Sequence, residues 1–167
     1  MSNQTLRELV YGKRSHADSV ACLQDLPVSL VGRKLDAYPH SIWQIAGHMN
    51  YWMTYELKRI GGERPVYPKH AAESWPASDG PANEKEWQDT VAEFQALLEK
   101  LAALSDSAPD VLQKNVPGAH QQQESESSTV ETVLWQTVVH NSYHLGQIAL
   151  LRRCFKAWPP RRGGDSW

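Results

Sequence analysis

The chain has 167 residues, of which 41% are hydrophobic and 22% are charged, a balance typical of one globular domain with a real core. The formal net charge of −2 shows no basic excess and so disfavours a nucleic-acid-binding function. No apolar run approaches the ~20 residues of a membrane span, the first ten residues lack a signal-peptide core, and two cysteines are too few for a disulfide framework, so we expect a cytoplasmic protein.

Residues 4–26 are predicted to form the first helix, because their apolar side chains recur with a helical period. Gly12 weakens the middle of this segment, and Pro27 is expected to end the helix at Leu26. Residues 27–40 then form a connection to the second helix.

A capping-box pattern opens the second helix, because Ser41 is followed three residues later by Gln44. Apolar side chains then recur at the spacing of one helix face as far as Ile60, where a pair of glycines ends the helix. His48 lies within this apolar face or at its edge, near the middle of the helix.

Two long loops flank the third predicted helix, one over residues 61–82 and one over 105–127. Loops longer than ~12–15 residues in a compact domain are commonly functional segments or crossovers. Asn83, with Glu86 three residues later, opens the helix between them. Its apolar stripe continues toward Pro109, which ends the helix at the latest.

Residues 130–156 are predicted to form the fourth and longest helix, opened by a capping box of Ser128 and Glu131. His140 and His144 stand four residues apart inside its apolar stripe, so their side chains share one helix face. Imidazoles in a buried stripe need polar partners, and a metal ion is one such partner.

Four amphipathic helices without a strand pattern predict an all-α fold, a four-helix bundle in one domain over residues 1–167. A loop of ~20 residues can cross the ~30 Å length of a helix of similar size, so the long loops allow crossover connections. The order of the helices in the bundle stays open. We expect the polar tract 120–128 to be mobile and residues 159–167 to form a poorly ordered tail.

The three mid-helix histidines, His48, His140 and His144, are predicted to converge, because the middles of bundle helices lie at a similar height in either direction. Three neutral imidazoles can hold a divalent cation and leave a coordination position open, which is the catalytic arrangement. Imidazole suits zinc, nickel, iron or copper. The alternative is that the histidines are ordinary core or surface residues. Asn141 stands where HExxH metalloproteases have their glutamate base, which disfavours that class.

Each ligating histidine is expected to donate its other ring proton to an acceptor. The candidates for that role are Gln44, Glu56, Asn141 and Gln147. No general acid or base is identified. Of the remaining histidines, His16 is predicted on the surface, His40 in a turn, and His70 and His120 in loops. The two cysteines, Cys22 and Cys154, are predicted to be small core residues.

Two segments carry a family resemblance. HSIWQIAGHMNYW (40–52) contains W-x-x-x-x-H, and HNSYHLGQIALLRR (140–153) contains H-x-x-x-H-x-x-Q-I. With the four-helix layout, they resemble the DinB/YfiT-like family of metal-dependent four-helix-bundle proteins. The resemblance implies His48, His140 and His144 as ligands of zinc or nickel, and a homodimer. Some family members are S-transferases that depend on bacillithiol or mycothiol, or related isomerases.

We therefore expect a metal-dependent transferase or hydrolase that acts on a small substrate, with a low-molecular-weight thiol as a candidate. The long loops would shape its pocket, with Tyr67 or Trp75 lining it. One alternative is a non-catalytic, metal-stabilised dimeric scaffold. A plain helical bundle with buried histidines and no metal is the other.

Overall fold

A computed structural model describes residues 3–118 and 128–162 of the chain. Its longer helices are α1 (Asn3–Val10), α3 (Ile42–Ile60), α4 (Glu84–Ser105) and α6 (Val130–Cys154). Single-turn helices α2 (Val28–Val31) and α5 (Pro109–Leu112), a 3₁₀ turn (Ala71–Ser74), and strands β1 (Asn115–Val116) and β2 (Ser128–Thr129) complete the described elements. His120 and most of the polar tract lie outside the described residues.

The four longer helices form the predicted four-helix bundle. Helix α4 packs against both α1 and α3, while α6 packs against α3 and, less extensively, against α1. Helices α3 and α6 are therefore neighbours along much of their length, and their shared interface is where side chains from the two can meet. Within the described ranges, no helix is both long and apolar enough to span a membrane.

The start of α3 follows its sequence signal. Ser41 caps the helix by accepting from the Gln44 backbone N–H at 3.1 Å, and the Gln44 side chain accepts from the Ser41 backbone N–H at 3.2 Å. This reciprocal pair satisfies two backbone donors that the first turn would otherwise leave without partners. Gly61 ends the helix, as the glycine pair predicts.

The first helix is much shorter than predicted, because it ends at Val10 rather than at Leu26. Residues 11–26 form turns, in which Gly12 has φ 76°, Arg14 has φ 65° and Asp25 has φ 58°. These left-handed conformations interrupt a helix and are adopted most easily by glycine. The apolar side chains of this segment are buried nonetheless (Ala17, Ala21, Cys22, Leu23, Leu26), so their periodicity reflected burial and not a helix.

Helix α6 begins at Val130, as predicted, but its cap is not the predicted Ser128. The cap is Thr129, whose hydroxyl accepts from the Thr132 backbone N–H, whereas Ser128 pairs with Val116 in the antiparallel β1–β2 ladder. The helix ends at Cys154, and Lys156 has φ 59°. The ladder fixes the direction from which the chain enters α6.

One prediction about the C-terminal region is wrong: Cys154 is exposed rather than a core residue, although Cys22 is buried as expected. In the segment predicted to form a poorly ordered tail, Pro160 is buried, and residues 163–167 lie outside the described part of the chain. Buried Arg152 ties this end to the turns by donating to the carbonyls of Ala157 and of residues 21, 22 and 24.

Candidate metal centre

Helices α3 and α6 bring three histidines together at their interface. Potential ligand atoms of His48, His140 and His144 all lie within 4.8 Å of one another. His48 Nε2 and His140 Nε2 are 3.2 Å apart. Two nitrogens bound to one tetrahedral zinc at ~2.0–2.1 Å would lie about 3.3 Å apart, so this spacing fits a shared cation. His48 and His144 are buried, and His140 is half-buried.

The orientation of the His48 ring is set by the 3₁₀ turn before Trp75. His48 Nδ1 lies 3.1 Å from the Ser74 hydroxyl oxygen and 3.3 Å from the Ser74 carbonyl oxygen. The Ser74 hydroxyl donates to the Ala71 carbonyl at 2.8 Å, so it can only accept from His48. His48 therefore carries its proton on Nδ1, and the lone pair on Nε2 faces the other two histidines.

Gln147 performs the same task for His144. Its side-chain oxygen lies 2.7 Å from His144 Nδ1 and accepts a hydrogen bond from it. The unprotonated Nε2 of His144 is then the atom that can bind a metal. Gln147 is one of the four residues predicted from the sequence to partner a histidine. It stands one turn further along α6, where an i, i+3 pair shares a helix face.

Glu56, another predicted partner, bonds elsewhere: it accepts from Arg59 at 2.6 Å, and Arg59 also donates to the Pro117 carbonyl. Asn141 directs its amide nitrogen at Met53 Sδ, 3.2 Å away, and a hydrogen bond between its side chain and His140 opposes the lowering of the His140 pKa. Ser74 was not predicted, because it lies in a long loop with no local pattern that would connect it to His48.

An aromatic stack forms one wall of the histidine cluster. The Trp75 ring lies parallel to His48 at a centroid distance of 3.8 Å and parallel to His40 at 3.7 Å, so it is held between the two. It also meets His144 edge-on at 5.7 Å. Tyr67, the other aromatic residue expected at the pocket, packs against Trp52 and Tyr55 instead.

The loop that carries Ser74 and Trp75 is fastened to the first turns of α3. The Ser41 hydroxyl donates to the Asp79 carbonyl at 2.6 Å, and Gln44 donates to the Pro76 carbonyl at 3.3 Å. Gly47 allows close approach, because a Cβ at that position would lie 2.4 Å from Pro76 Cγ. Gln44 thus anchors the loop, and its histidine contact is with His40 rather than, as was predicted, with one of the three clustered histidines.

The electrostatics of the cluster keep the imidazoles neutral. Burial, together with the neighbouring His144 and His140, lowers the pKa of His48 to about 3, while its bond to the Ser74 backbone opposes the shift. Burial and His144 lower the pKa of His140 to about 4. Burial also lowers the pKa of His144, while its bond to Gln147 opposes the shift. Neutral imidazole is the form that binds metals.

The remaining histidines lie apart from the cluster. His16 is half-buried rather than a surface residue, with Nε2 3.0 Å from the Ser142 hydroxyl. His40 stacks on the outer face of Trp75, and His70 is exposed. Among the described residues, the group able to hold a metal ion consists of His48, His140 and His144.

Comparisons with known proteins agree with this fold. The sequence profile of the DinB superfamily matches residues 12–148, which is most of the chain. A similar solved structure is YfiT from Bacillus subtilis, described as a probable metal-dependent hydrolase with an unusual four-helix bundle topology. It is 16% identical, with a TM-score of 0.63 over 92% of this chain and 87% of that one. No curated protein matches the chain by sequence.

Proposed function

The chain belongs to the DinB superfamily, and from that premise we propose that it is a metal-dependent enzyme that acts on a small substrate. In this proposal His48, His140 and His144 bind one divalent cation through Nε2. The observation that carries it is the meeting of three buried or half-buried, neutral imidazoles whose ring nitrogens lie within 4.8 Å of one another.

The donor set determines what chemistry such a site supports. A divalent cation held by three neutral nitrogens supplies Lewis-acid activation of a water or thiol at its open position. The histidines bring no negative charge, so the site favours an anionic fourth ligand such as a thiolate or carboxylate. Ser74 and Gln147 hold the imidazoles in the ligating tautomer, and Trp75 excludes water from one side.

We place the activity in one of two reaction classes, thiol-dependent S-transfer or hydrolysis. The similarity to YfiT, described as a probable metal-dependent hydrolase, supports the second class, and the histidine and glutamine pattern of α6 supports membership of the wider family. Zinc or nickel is the proposed cation, since imidazole binds both well. We further propose a cytoplasmic location, in which the two free cysteines stay reduced.

A non-catalytic, metal-stabilised scaffold is the second candidate. One observation favours it: Glu56, an acidic side chain on the same helix as His48, is engaged by Arg59 and is not available as a general base. A scaffold would lose thermal stability on chelation but would turn over no member of a panel of thiols and esters.

Metal analysis of protein purified without a histidine tag tests the ligand set. We expect about one divalent metal per chain in the wild type, and none in His144→Ala or in the less buried His140→Ala. His16→Ala is the matched control, because His16 is half-buried but lies outside the cluster. Stoichiometric metal in a folded His144→Ala or His140→Ala protein would contradict the assignment.

A further inference from the structure

Aromatic rings from three segments of the chain surround the histidine cluster. Trp75, in the loop after α3, lies 3.8 Å from His48 and 5.7 Å from His144, measured between ring centroids. Trp52, on α3, meets His48 edge-on at 6.3 Å. Tyr143, on α6, meets His144 edge-on at 5.1 Å. The residues Trp52, Trp75 and Tyr143 are here called the aromatic rim.

The aromatic rim lies where a small molecule can reach the cluster from solvent. His140 is half-buried, whereas the other two proposed ligands are buried. Trp52 stands level with His140, because the next residues on the two helices are in contact, with Met53 Sδ 3.2 Å from Asn141 Nδ2. The rim itself is partly open, since both tryptophans are half-buried and Tyr143 has 65% of its surface exposed. A molecule that approaches the cluster therefore meets aromatic surface.

The two helices that supply the ligands carry no charged side chain near the cluster. Residues 42–55 of α3 and residues 132–151 of α6 include no Asp, Glu, Lys or Arg. The first charged residues beyond these stretches are Glu56, Glu131 and Arg152, each more than two helical turns, roughly 12 Å, from the nearest ligand along its helix. Among the described residues, the charges that shift the pKa values of the three ligands belong to other histidines.

The loop that carries Trp75 directs its charged side chains to other partners. Glu73 is exposed, and its carboxylate accepts from the Lys69 backbone N–H at 3.2 Å. Asp79 pairs with Lys34 at 2.5 Å. Phosphate esters and polycarboxylates are normally recognised through arginine or lysine, and the described contacts of the rim include neither.

We propose that the aromatic rim selects the substrate of the proposed metal site, and that this substrate is a small molecule with an uncharged aromatic body. The inference rests on the proposed function, because the cation would bind the reacting group while the rim binds the rest of the molecule. Aromatic rings pack favourably edge-on or offset against other rings. A charged body would lose its hydration here without gaining a partner, and a cationic body would also be repelled by the metal.

Isothermal titration calorimetry of the zinc-loaded protein with three hydroxamates tests the substrate class. Acetohydroxamate and benzohydroxamate bind zinc through the same group and differ in a methyl or a phenyl body, so benzohydroxamate should bind at least about tenfold more tightly. 4-Carboxybenzohydroxamate adds a charge at the far end of the ring and should bind at least about fivefold more weakly than benzohydroxamate. Equal affinities for acetohydroxamate and benzohydroxamate, or a carboxylated probe that binds as tightly as benzohydroxamate, would overturn the proposal.

Shortening the rim residues tests their contact with the aromatic body. Tyr143→Ala should reduce the preference for benzohydroxamate over acetohydroxamate at least about threefold and leave the zinc content unchanged. Trp52→Leu should act in the same way, with circular dichroism to check that the helices are intact. Leu150→Ala is the matched control, because Leu150 is 54% exposed on the same helix as Tyr143 but lies outside the rim. A wild-type preference in both rim variants would overturn the proposal.

The same measurements separate this inference from the proposed function. If the wild type holds no zinc, or binds none of the three hydroxamates, the proposed metal site is wrong and the inference fails with it. If the wild type holds about one zinc per chain but binds benzohydroxamate no more tightly than acetohydroxamate, the metal site stands and the aromatic rim does not select the substrate.

Discussion

Helices α4 and α6 have similar lengths, 22 and 25 residues, but they place their polar side chains in opposite ways. The buried face of α4 is apolar except at Ser105, and its exposed face carries charges of both signs. The buried face of α6 includes Asn141, His144 and Arg152, while large apolar side chains stand on its exposed face.

This difference in the placement of polar side chains distinguishes a helix that mainly stabilises the bundle, α4, from one whose residues also serve binding, α6. An apolar interior with a charged exterior is what stability and solubility require. Buried imidazoles and amides cost free energy unless they are bonded, and exposed apolar surface is unfavourable unless it is covered. Helix α6 departs from the pattern of α4 on both faces, and its buried polar residues include part of the proposed metal site.

The largest predicted effect is a loss of stability when a buried side chain of α4 is shortened. Phe94 is fully buried, so Phe94→Ala should lower the free energy of unfolding by about 3–5 kcal/mol through lost burial and a cavity. Chemical denaturation measures this loss. The folded fraction should still bind metal at the wild-type ratio, because Phe94 lies on α4 and the three ligands lie on α3 and α6. Loss of metal from well-folded Phe94→Ala would show that the stability of the bundle and metal binding are not separate.

Acid should destabilise the metal-free protein through the histidine cluster. The pKa values of His48 and His140 are lowered to about 3 and about 4 in the folded chain, against ~6.5 when unfolded. The unfolded chain therefore binds more protons below pH ~6.5, and stability falls as the pH is lowered from 7 to 5, by roughly 2 kcal/mol for each such histidine.

Urea denaturation of the chelated protein across this pH range measures the effect. The variant His140→Leu removes one of the groups and should show a shallower dependence on pH. An identical dependence in the wild type and in His140→Leu would contradict the prediction.

The smallest predicted effect is on metal affinity, through the hydrogen bond between His144 and Gln147. Gln147→Ala removes the acceptor for His144 Nδ1 and should weaken metal binding about 10- to 100-fold, as losses of such partners typically do. Competition with a chromogenic chelator measures the affinity. Gln136→Ala, an exposed glutamine on the same helix, is the control and should bind like the wild type. Equal affinities for the two variants would mean that Gln147 does not orient the ring.

The parts of the structure that sequence predicts well are those set by local chemistry. Ser41 and Gln44 mark the start of α3, and Asn83 marks the start of α4, because caps act over three residues. The meeting of His48 with His140 and His144 also follows from position, since all three lie mid-helix on apolar faces.

The parts that sequence misses depend on distant contacts. Apolar periodicity over residues 11–26 predicts a helix, yet the apolar side chains there are buried by turns that the guanidinium of Arg152 partly holds. Ser74 reaches His48 only because the loop is tied down at Ser41 and Gln44, and nothing near Ser74 in sequence signals that contact.

The separation of His48 from His140 along the chain, 92 residues, has a consequence for the protein in the cell. An unfolded polypeptide has no preassembled site, so a cation that binds only the native form adds its own binding free energy to folding, about 2.7 kcal/mol at a hundredfold excess over Kd. Proteolysis that acts on opened molecules would then slow when the metal is plentiful and quicken when it is scarce. The abundance of this protein should therefore follow the supply of its metal, even without any change in its synthesis.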